Sequence, residues 1–204
     1  ISDFKKGEQI LVNGSRVGEL YHGGYSQYAK VKKEFIIKKP KEINTRQAMM
    51  LGTGGFTAVL CAFALKATVE LLMGEIVKVV LVTGATGGVG YLAVQLLVKL
   101  GANVTAVTGK HDAKEMLESF GVDEILNREQ FKANFRQPLS KGKWDIGVDV
   151  VGGEFLSGLL TCLKPQGSIA SCGHVGGPNF ETNLKLKDTE TVPASGKSEI
   201  ESIG

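Results

Sequence analysis

Val79-Val80-Leu81-Val82-Thr83-Gly84-Ala85-Thr86-Gly87-Gly88-Val89-Gly90 is an apolar run that breaks into four glycines within seven residues. Its first four residues are rich in β-branched side chains and carry no charge, the pattern of a strand covered on both faces. The glycines then let the chain turn tightly and bring bare backbone N–H groups against a ligand. From Val89 to Leu100 the apolar period becomes helical, with Val89, Ala93, Leu96, Leu97 and Leu100 expected on one side. Strand, glycine turn and helix N-terminus together form a diphosphate cradle, because unpaired helix N–H groups and the helix dipole attract an anion. Gly84, Ala85, Thr86, Gly87, Gly88, Val89 and Gly90 are therefore the predicted pyrophosphate contacts.

A glycine turn alone can be purely structural, so the surrounding pattern decides. A dinucleotide site needs a second strand whose end reads the adenosine ribose about 20 residues further on. Residues 103–107 supply that strand and run into Thr108, Gly109 and Lys110. An NAD site usually places an acid there to accept from the ribose 2′-hydroxyl. Here no acid precedes Asp112. A hydroxyl, a glycine amide and an ammonium suit a 2′-phosphate, which a carboxylate would repel. Arg128, after the strand-like stretch 124–126, is placed to close the same pocket. The predicted cofactor is NADPH.

The 204 residues carry 24 basic and 21 acidic side chains, a net charge of +3. That balance argues against nucleic acid or an anionic membrane as the main partner and leaves a small-molecule substrate. The apolar run 51–65 reads as too short to cross a bilayer. Cys61, Cys162 and Cys172 are scattered and odd in number, so no disulfide framework follows from them. Cys61 and Cys162 fall in apolar helical patterns and read as packing residues. The three histidines show no metal-ligand spacing, and no metal site is expected. This cysteine usage fits a reducing, cytoplasmic setting.

Along the chain, residues 1–45 are β-rich and loop-rich. Residues 9–12 and 35–37 are short strand candidates, and Tyr25, Gln27, Ala29 and Val31 alternate with polar partners as a strand would. Some 40 residues rarely build a core of their own. From Thr45 the pattern changes: Gly52-Thr53-Gly54-Gly55-Phe56-Thr57 leads into an apolar helix expected to end near Leu65. Strands and helices then alternate through residues 46–182, which predicts a parallel sheet with ligands at the carboxyl ends of its strands. Those ends fall at residues 84–90, 108–110, 127–128, 151–153 and 172–176. Residues 183–204 show no period and read as a tail.

Three segments resemble the zinc-independent medium-chain dehydrogenase/reductase superfamily, and within it the YhdH/YhfP-type quinone oxidoreductases, a group that includes acryloyl-CoA reductases. Gly23-Gly24-Tyr25-Ser26-Gln27-Tyr28-Ala29-Lys30 resembles the last strands of that family's GroES-like catalytic lobe. Ala48-Met49-Met50-Leu51-Gly52-Thr53-Gly54-Gly55-Phe56-Thr57-Ala58 is similar to its interdomain helix, which carries a Gly-Thr-Ala-Gly-Phe-Thr-Ala signature. Val82-Thr83-Gly84-Ala85-Thr86-Gly87-Gly88-Val89-Gly90 matches its cofactor fingerprint almost letter for letter. The resemblance runs to about Thr182; residues 183–204 do not match the family's continuation. It implies an α/β fold: a Rossmann-type parallel sheet with the remnant of a β-rich GroES-like lobe. It also implies hydride transfer from NADPH to a quinone or an activated, acryloyl-type double bond. Thr57, Val151, Gly152, Cys172 and Gly173 would border the nicotinamide, no covalent nucleophile is asked for, and a homodimer of the full-length protein is the assembly it admits.

Other families fit less well. A short-chain dehydrogenase needs a Tyr-x-x-x-Lys pair downstream of the glycines, and the only such pair, Tyr28 and Lys32, lies upstream. A P-loop needs Gly-Lys-Ser/Thr to close its glycine turn, and none closes the turn at residues 84–90. The rival from another class is a non-catalytic NADPH-binding module or scaffold, which the same cradle would serve.

Overall fold

A computed structural model describes residues 4–73, 79–135 and 142–177. The tail read at 183–204, and the end of the helical stretch expected near Pro138, lie outside those residues. The chain divides into two compact units, with the break between Thr53 and Gly54.

In the first unit, β1 (Ile10–Val12) pairs antiparallel with β2 (Ile36–Lys38), Ile10 opposite Lys38 and Val12 opposite Ile36. A short 3-10 turn at Lys33–Phe35 leads into β2. The alternating stretch at Tyr25, Gln27, Ala29 and Val31 forms no strand, and Tyr25 and Tyr28 are fully exposed. Alternation becomes a strand only where a neighbour takes up its backbone hydrogen bonds, and the described residues offer it none.

Helix α1 (Thr45–Met73) starts earlier and ends later than its glycines suggested. Its start is fixed by a capping box: the Gln47 amide donates to Asn44 Oδ1 and the Asn44 amide to Gln47 Oε1, both at 2.9 Å. Gly52, at φ 43° and ψ −147°, breaks the helix into two stretches. The segment Thr45–Leu65, with mean hydropathy 1.8, is long and apolar enough to cross a bilayer by length and composition, contrary to the reading of 51–65 as too short. Ala58, Cys61, Ala62 and Leu65 are nonetheless buried in the core of the second unit, as in a packing helix.

The second unit is a five-stranded parallel sheet in the order β5-β4-β3-β6-β7. The strands are β3 (Val79–Val82), β4 (Asn103–Val107), β5 (Glu124–Leu126), β6 (Trp144–Asp149) and β7 (Leu163–Ser171). Between them run α2 (Gly88–Lys99), α3 (Lys114–Ser119), α4 (Arg128–Phe135) and α5 (Gly153–Cys162). This is the Rossmann-type arrangement expected. The sheet separates two cores: Val80, Val82, Val104, Ala106 and Val148 meet α1 and α2, while Leu81, Val107, Phe131, Trp144 and Leu159 fill the other side.

Two details depart from the sequence pattern. Helix α2 buries Gly90, Ala93, Val94 and Leu97, whereas Leu100 follows the helix as its C-cap and is 47% exposed. Strand β7 begins at Leu163 rather than 167, because Trp144 pairs with Leu163 across an irregularity that Lys164, Pro165, Gln166 and Gly167 absorb. Strands β3, β4 and β6 end level, with Val82 opposite both Ala106 and Val148. The loops that leave them therefore share one edge of the sheet.

Candidate functional site

The glycine turn is built from backbone. Gly84 adopts φ 59°, and the Gly87 amide donates to its carbonyl at 2.8 Å. A Cβ on Gly90 would lie 2.2 Å from that same carbonyl oxygen, so only glycine lets α2 start this close to β3. Gly87 caps α2 without a side-chain hydrogen bond, and a Cβ on Gly88 would meet nothing within 4 Å. Helix α1 closes the turn from behind, since a Cβ on Gly54 would stand 3.3 Å from the Gly88 carbonyl. The Ala85 amide donates to Val107 O at 3.0 Å, and the Thr86 and Thr108 hydroxyls meet at 2.9 Å. The turn after β3 is thereby tied to the end of β4.

Side chains build the neighbouring region. Thr108 is buried, and its Oγ1 accepts from the Lys110 amide at 3.1 Å. The Arg128 guanidinium lies flat against Gly109: a Cβ there would sit 2.6 Å from Arg128 Nε. A reciprocal pair of hydrogen bonds between Asn127 and Gln130, at 2.8 and 2.9 Å, starts α4 and so places Arg128 at its first position. A cleft of about 230 Å3 opens here, lined by Thr108, Lys110, His111, Lys114, Ile125, Asn127 and Gln130. No carboxylate lines it. His111 and Lys114 were not among the expected contacts, and only their position one turn beyond Lys110 could have signalled them.

The other end of the sheet edge is organised by Asp149, fully buried and missed from the sequence. Its Oδ1 accepts from Thr83 Oγ1 at 2.6 Å, and its Oδ2 from the Gly152 amide at 2.8 Å and Ser171 Oγ at 3.4 Å. The Cys172 amide donates to the Asp149 carbonyl at 2.9 Å, and the Val150 amide to Thr83 Oγ1 at 3.0 Å. One carboxylate thus ties together the ends of β3, β6 and β7. An acid at a strand end has no distinctive spacing, so nothing in the sequence singled it out.

Around this hub the backbone is close-packed. Gly152 has φ 75°, and a Cβ on it would lie 2.8 Å from Gly173 O. A Cβ on Gly173 would lie 2.0 Å from Val150 O. Val151, Gly152, Cys172 and Gly173 accordingly form one wall. Thr57 lies on α1 between Gly54, behind the glycine turn, and Cys61. Of the expected site residues, Thr108, Gly109, Lys110 and Arg128 gather at the ends of β4 and β5, and Val151, Gly152, Cys172 and Gly173 at the ends of β6 and β7, on either side of the turn at residues 84–90.

Cys61 and Cys162 pack in the two cores, as their apolar helical settings suggested, and Cys172 lies partly buried against the core that holds Cys61. Interaction with the Cys172 thiol lowers the Cys61 thiol below its ordinary pKa, against the effect of burial, and interaction with Cys61, then burial, push the Cys172 thiol well above its own.

A parallel sheet in this order, with a glycine turn after its central strand and loops gathered at one edge, defines a dinucleotide-fold protein. Residues 88–194 match the zinc-binding dehydrogenase family, to which this chain belongs. It is 41% identical to the probable acrylyl-CoA reductase AcuI of Escherichia coli over 93% of this chain and 59% of that protein. The crystal structure of the YhdH oxidoreductase of Salmonella enterica in complex with NADP superimposes with a TM-score of 0.78 at 38% identity, covering 88% of this chain and 54% of the other. Bacillus subtilis YhfP, solved with NAD bound, gives a TM-score of 0.78 at 37% identity, with coverage of 88% and 54%. The chain spans about half the length of these relatives. Despite the family's name, no group of three His, Cys, Asp or Glu side chains among the described residues is placed to hold a metal, so these residues do not fit a zinc ion.

Proposed function

We propose that this chain is the nucleotide-binding part of an NADPH-dependent oxidoreductase that acts on a small molecule, either an acryloyl-type thioester or a quinone. The observation that carries this reading is the junction at the ends of β3 and β4. There a turn with four glycines runs into a cleft with Lys110, Lys114 and Arg128 close by and no carboxylate among its lining residues. Such a groove fits a diphosphate followed by a phosphomonoester.

In this reading the N–H groups of residues 84–90 hold the pyrophosphate, and Thr108, Gly109, Lys110 and Arg128 hold the 2′-phosphate. Thr57, Val151, Gly152, Cys172 and Gly173 border the nicotinamide. NADPH, when bound, supplies a hydride to the electron-poor carbon of the acceptor. The chain's own residues orient the dinucleotide and keep water from the wall that Asp149 braces. Residues 1–45 belong in this proposal to the close of a GroES-like catalytic lobe and 46–182 to the Rossmann domain. A reducing, cytoplasmic setting and a homodimer of the full-length protein go with it.

The test is a titration with NADPH and with NADH, followed by nicotinamide fluorescence, on the chain and on Lys110→Ala. Tighter NADPH binding that weakens in the variant supports the reading; equal affinity for both cofactors overturns the 2′-phosphate assignment. Full-length protein then separates enzyme from scaffold. Consumption of NADPH with acryloyl-CoA or a quinone identifies the reductase, and binding without consumption of either identifies the non-catalytic module.

A further inference from the structure

In the proposed 2′-phosphate pocket, Thr108, Gly109, Lys110 and Arg128 account for only part of the cleft. Two further lining side chains present hydrogen-bond donors to it. Lys114, the first residue of α3, is exposed, and its ion-pair partner Glu118 stands 3.7 Å away. An exposed pair of that kind holds a lysine loosely. Asn127, between β5 and α4, is more constrained. Its Oδ1 accepts from the Gln130 amide at 2.8 Å, and its own amide donates to Gln130 Oε1 at 2.9 Å. With the side-chain oxygen turned to the start of α4, Nδ2 is the part of Asn127 left for a ligand, and no hydrogen bond among the described residues engages it. The ammonium groups of Lys110 and Lys114 and the Nδ2 of Asn127 donate and cannot accept. Such donors around a cleft with no lining carboxylate select a phosphate over a free ribose hydroxyl, whose usual partner is an acidic acceptor.

We propose that Lys114 and Asn127 are specificity-determining residues for the cofactor: both donate to the 2′-phosphate of NADPH and leave NADH binding unaffected. The inference rests on the NADPH reading above and extends it beyond the residues named there. Lys114 supplies a mobile charge and gives up only its loose pair with Glu118. Asn127 supplies a donor whose direction is fixed by the first turn of α4. Gln130 acts through Asn127 as a positioning residue, since its amide and Oε1 hold the Asn127 side chain and backbone in place. The box that starts α4 thereby also presents a donor to the ligand.

The test titrates the full chain and its variants with NADPH and NADH by nicotinamide fluorescence, and with adenosine 2′-monophosphate by calorimetry, beside thermal melts. Asn127→Asp is the deciding variant. It keeps an oxygen for the Gln130 amide and is as good a helix cap, so the thermal midpoint should hold. It also turns the donor into an anionic acceptor facing the phosphate. Affinity for NADPH and for adenosine 2′-monophosphate should fall at least about tenfold, the worth of a charge-assisted hydrogen bond, with NADH unmoved. Lys114→Ala should weaken NADPH about threefold, as befits an exposed charge, and the effect should fade with added salt. Lys114 lies on the surface, so this variant folds whatever becomes of the cap. A loss in one variant alone would strike the other residue from the assignment. Unchanged NADPH affinity in both, while Lys110→Ala still weakens it, would overturn the proposal and leave the 2′-phosphate reading standing. An equal loss for NADPH and NADH would also overturn it, as the mark of a purely structural cap. Should Lys110→Ala be without effect as well, or the chain bind neither dinucleotide, the underlying reading fails and the proposal with it.

Discussion

The two ends of the sheet edge near β4 are made of different material. The turn after β3 is shaped chiefly by backbone, with a glycine at Gly90 where a side chain would collide. The cleft after β4 consists of side chains, with Thr108, Lys110, His111 and Lys114 around a small volume and Arg128 laid over Gly109. The first kind of site tolerates almost no substitution, since its shape is its chemistry. The second can lose one member and keep the rest, so its effects should be graded and confined to the group that it contacts.

Substitutions separate the two cases in order of expected effect. Gly90→Ala forces a Cβ to 2.2 Å from Gly84 O, so α2 must move; we expect destabilisation of about 3 kcal/mol and loss of NADPH and NADH binding alike, read by thermal melts and fluorescence. A Gly90→Ala protein of unchanged stability would mean that the turn yields more easily than its contacts imply. Asp149→Ala leaves the Thr83 hydroxyl and the Gly152 amide without their acceptor, which should cost about 2 kcal/mol in denaturant unfolding. Asp149→Asn should cost less, as an amide oxygen can still accept one of them.

In the side-chain region, Lys110→Ala or Arg128→Ala should weaken NADPH about tenfold, the worth of one charge-assisted hydrogen bond to a phosphate. NADH affinity should hardly move; an equal loss for both cofactors would erase the contrast between the two regions. Gly54→Ala should do least. Its Cβ would stand 3.3 Å from the Gly88 carbonyl, a contact relieved by a few tenths of an ångström. Alanine is also the residue at this position in the family signature. We expect a stability change within about 0.5 kcal/mol and unaltered binding.

Much of this was legible in the sequence because the signals were local. The switch from the β-branched run 79–82 to glycines and then to a helical period located β3, the turn and α2 nearly to the residue. Residues 124–126 were read as a strand although only three long, because charged and turn residues bracket them. What failed depended on partners remote in sequence. Tyr25, Gln27, Ala29 and Val31 alternate properly and stay unpaired, since alternation supplies a face and not a neighbour. Helix α1 began before its expected start because that start rests on the Asn44–Gln47 box, a signal outweighed by the glycines that follow. Asp149 was illegible for the same reason: its bond with Thr83 joins strand ends 66 positions apart.

The Asp149 network has a consequence for how this edge of the sheet comes apart. The Val150 amide leans on the Thr83 hydroxyl, which leans on Asp149, which also holds Gly152 and, through its own carbonyl, Cys172. No one of these donors can be released without disturbing the acceptor of the others. In hydrogen–deuterium exchange the amides of Val150, Gly152 and Cys172 should therefore open together, as one cooperative unit drawn from two loops rather than as two fraying ends.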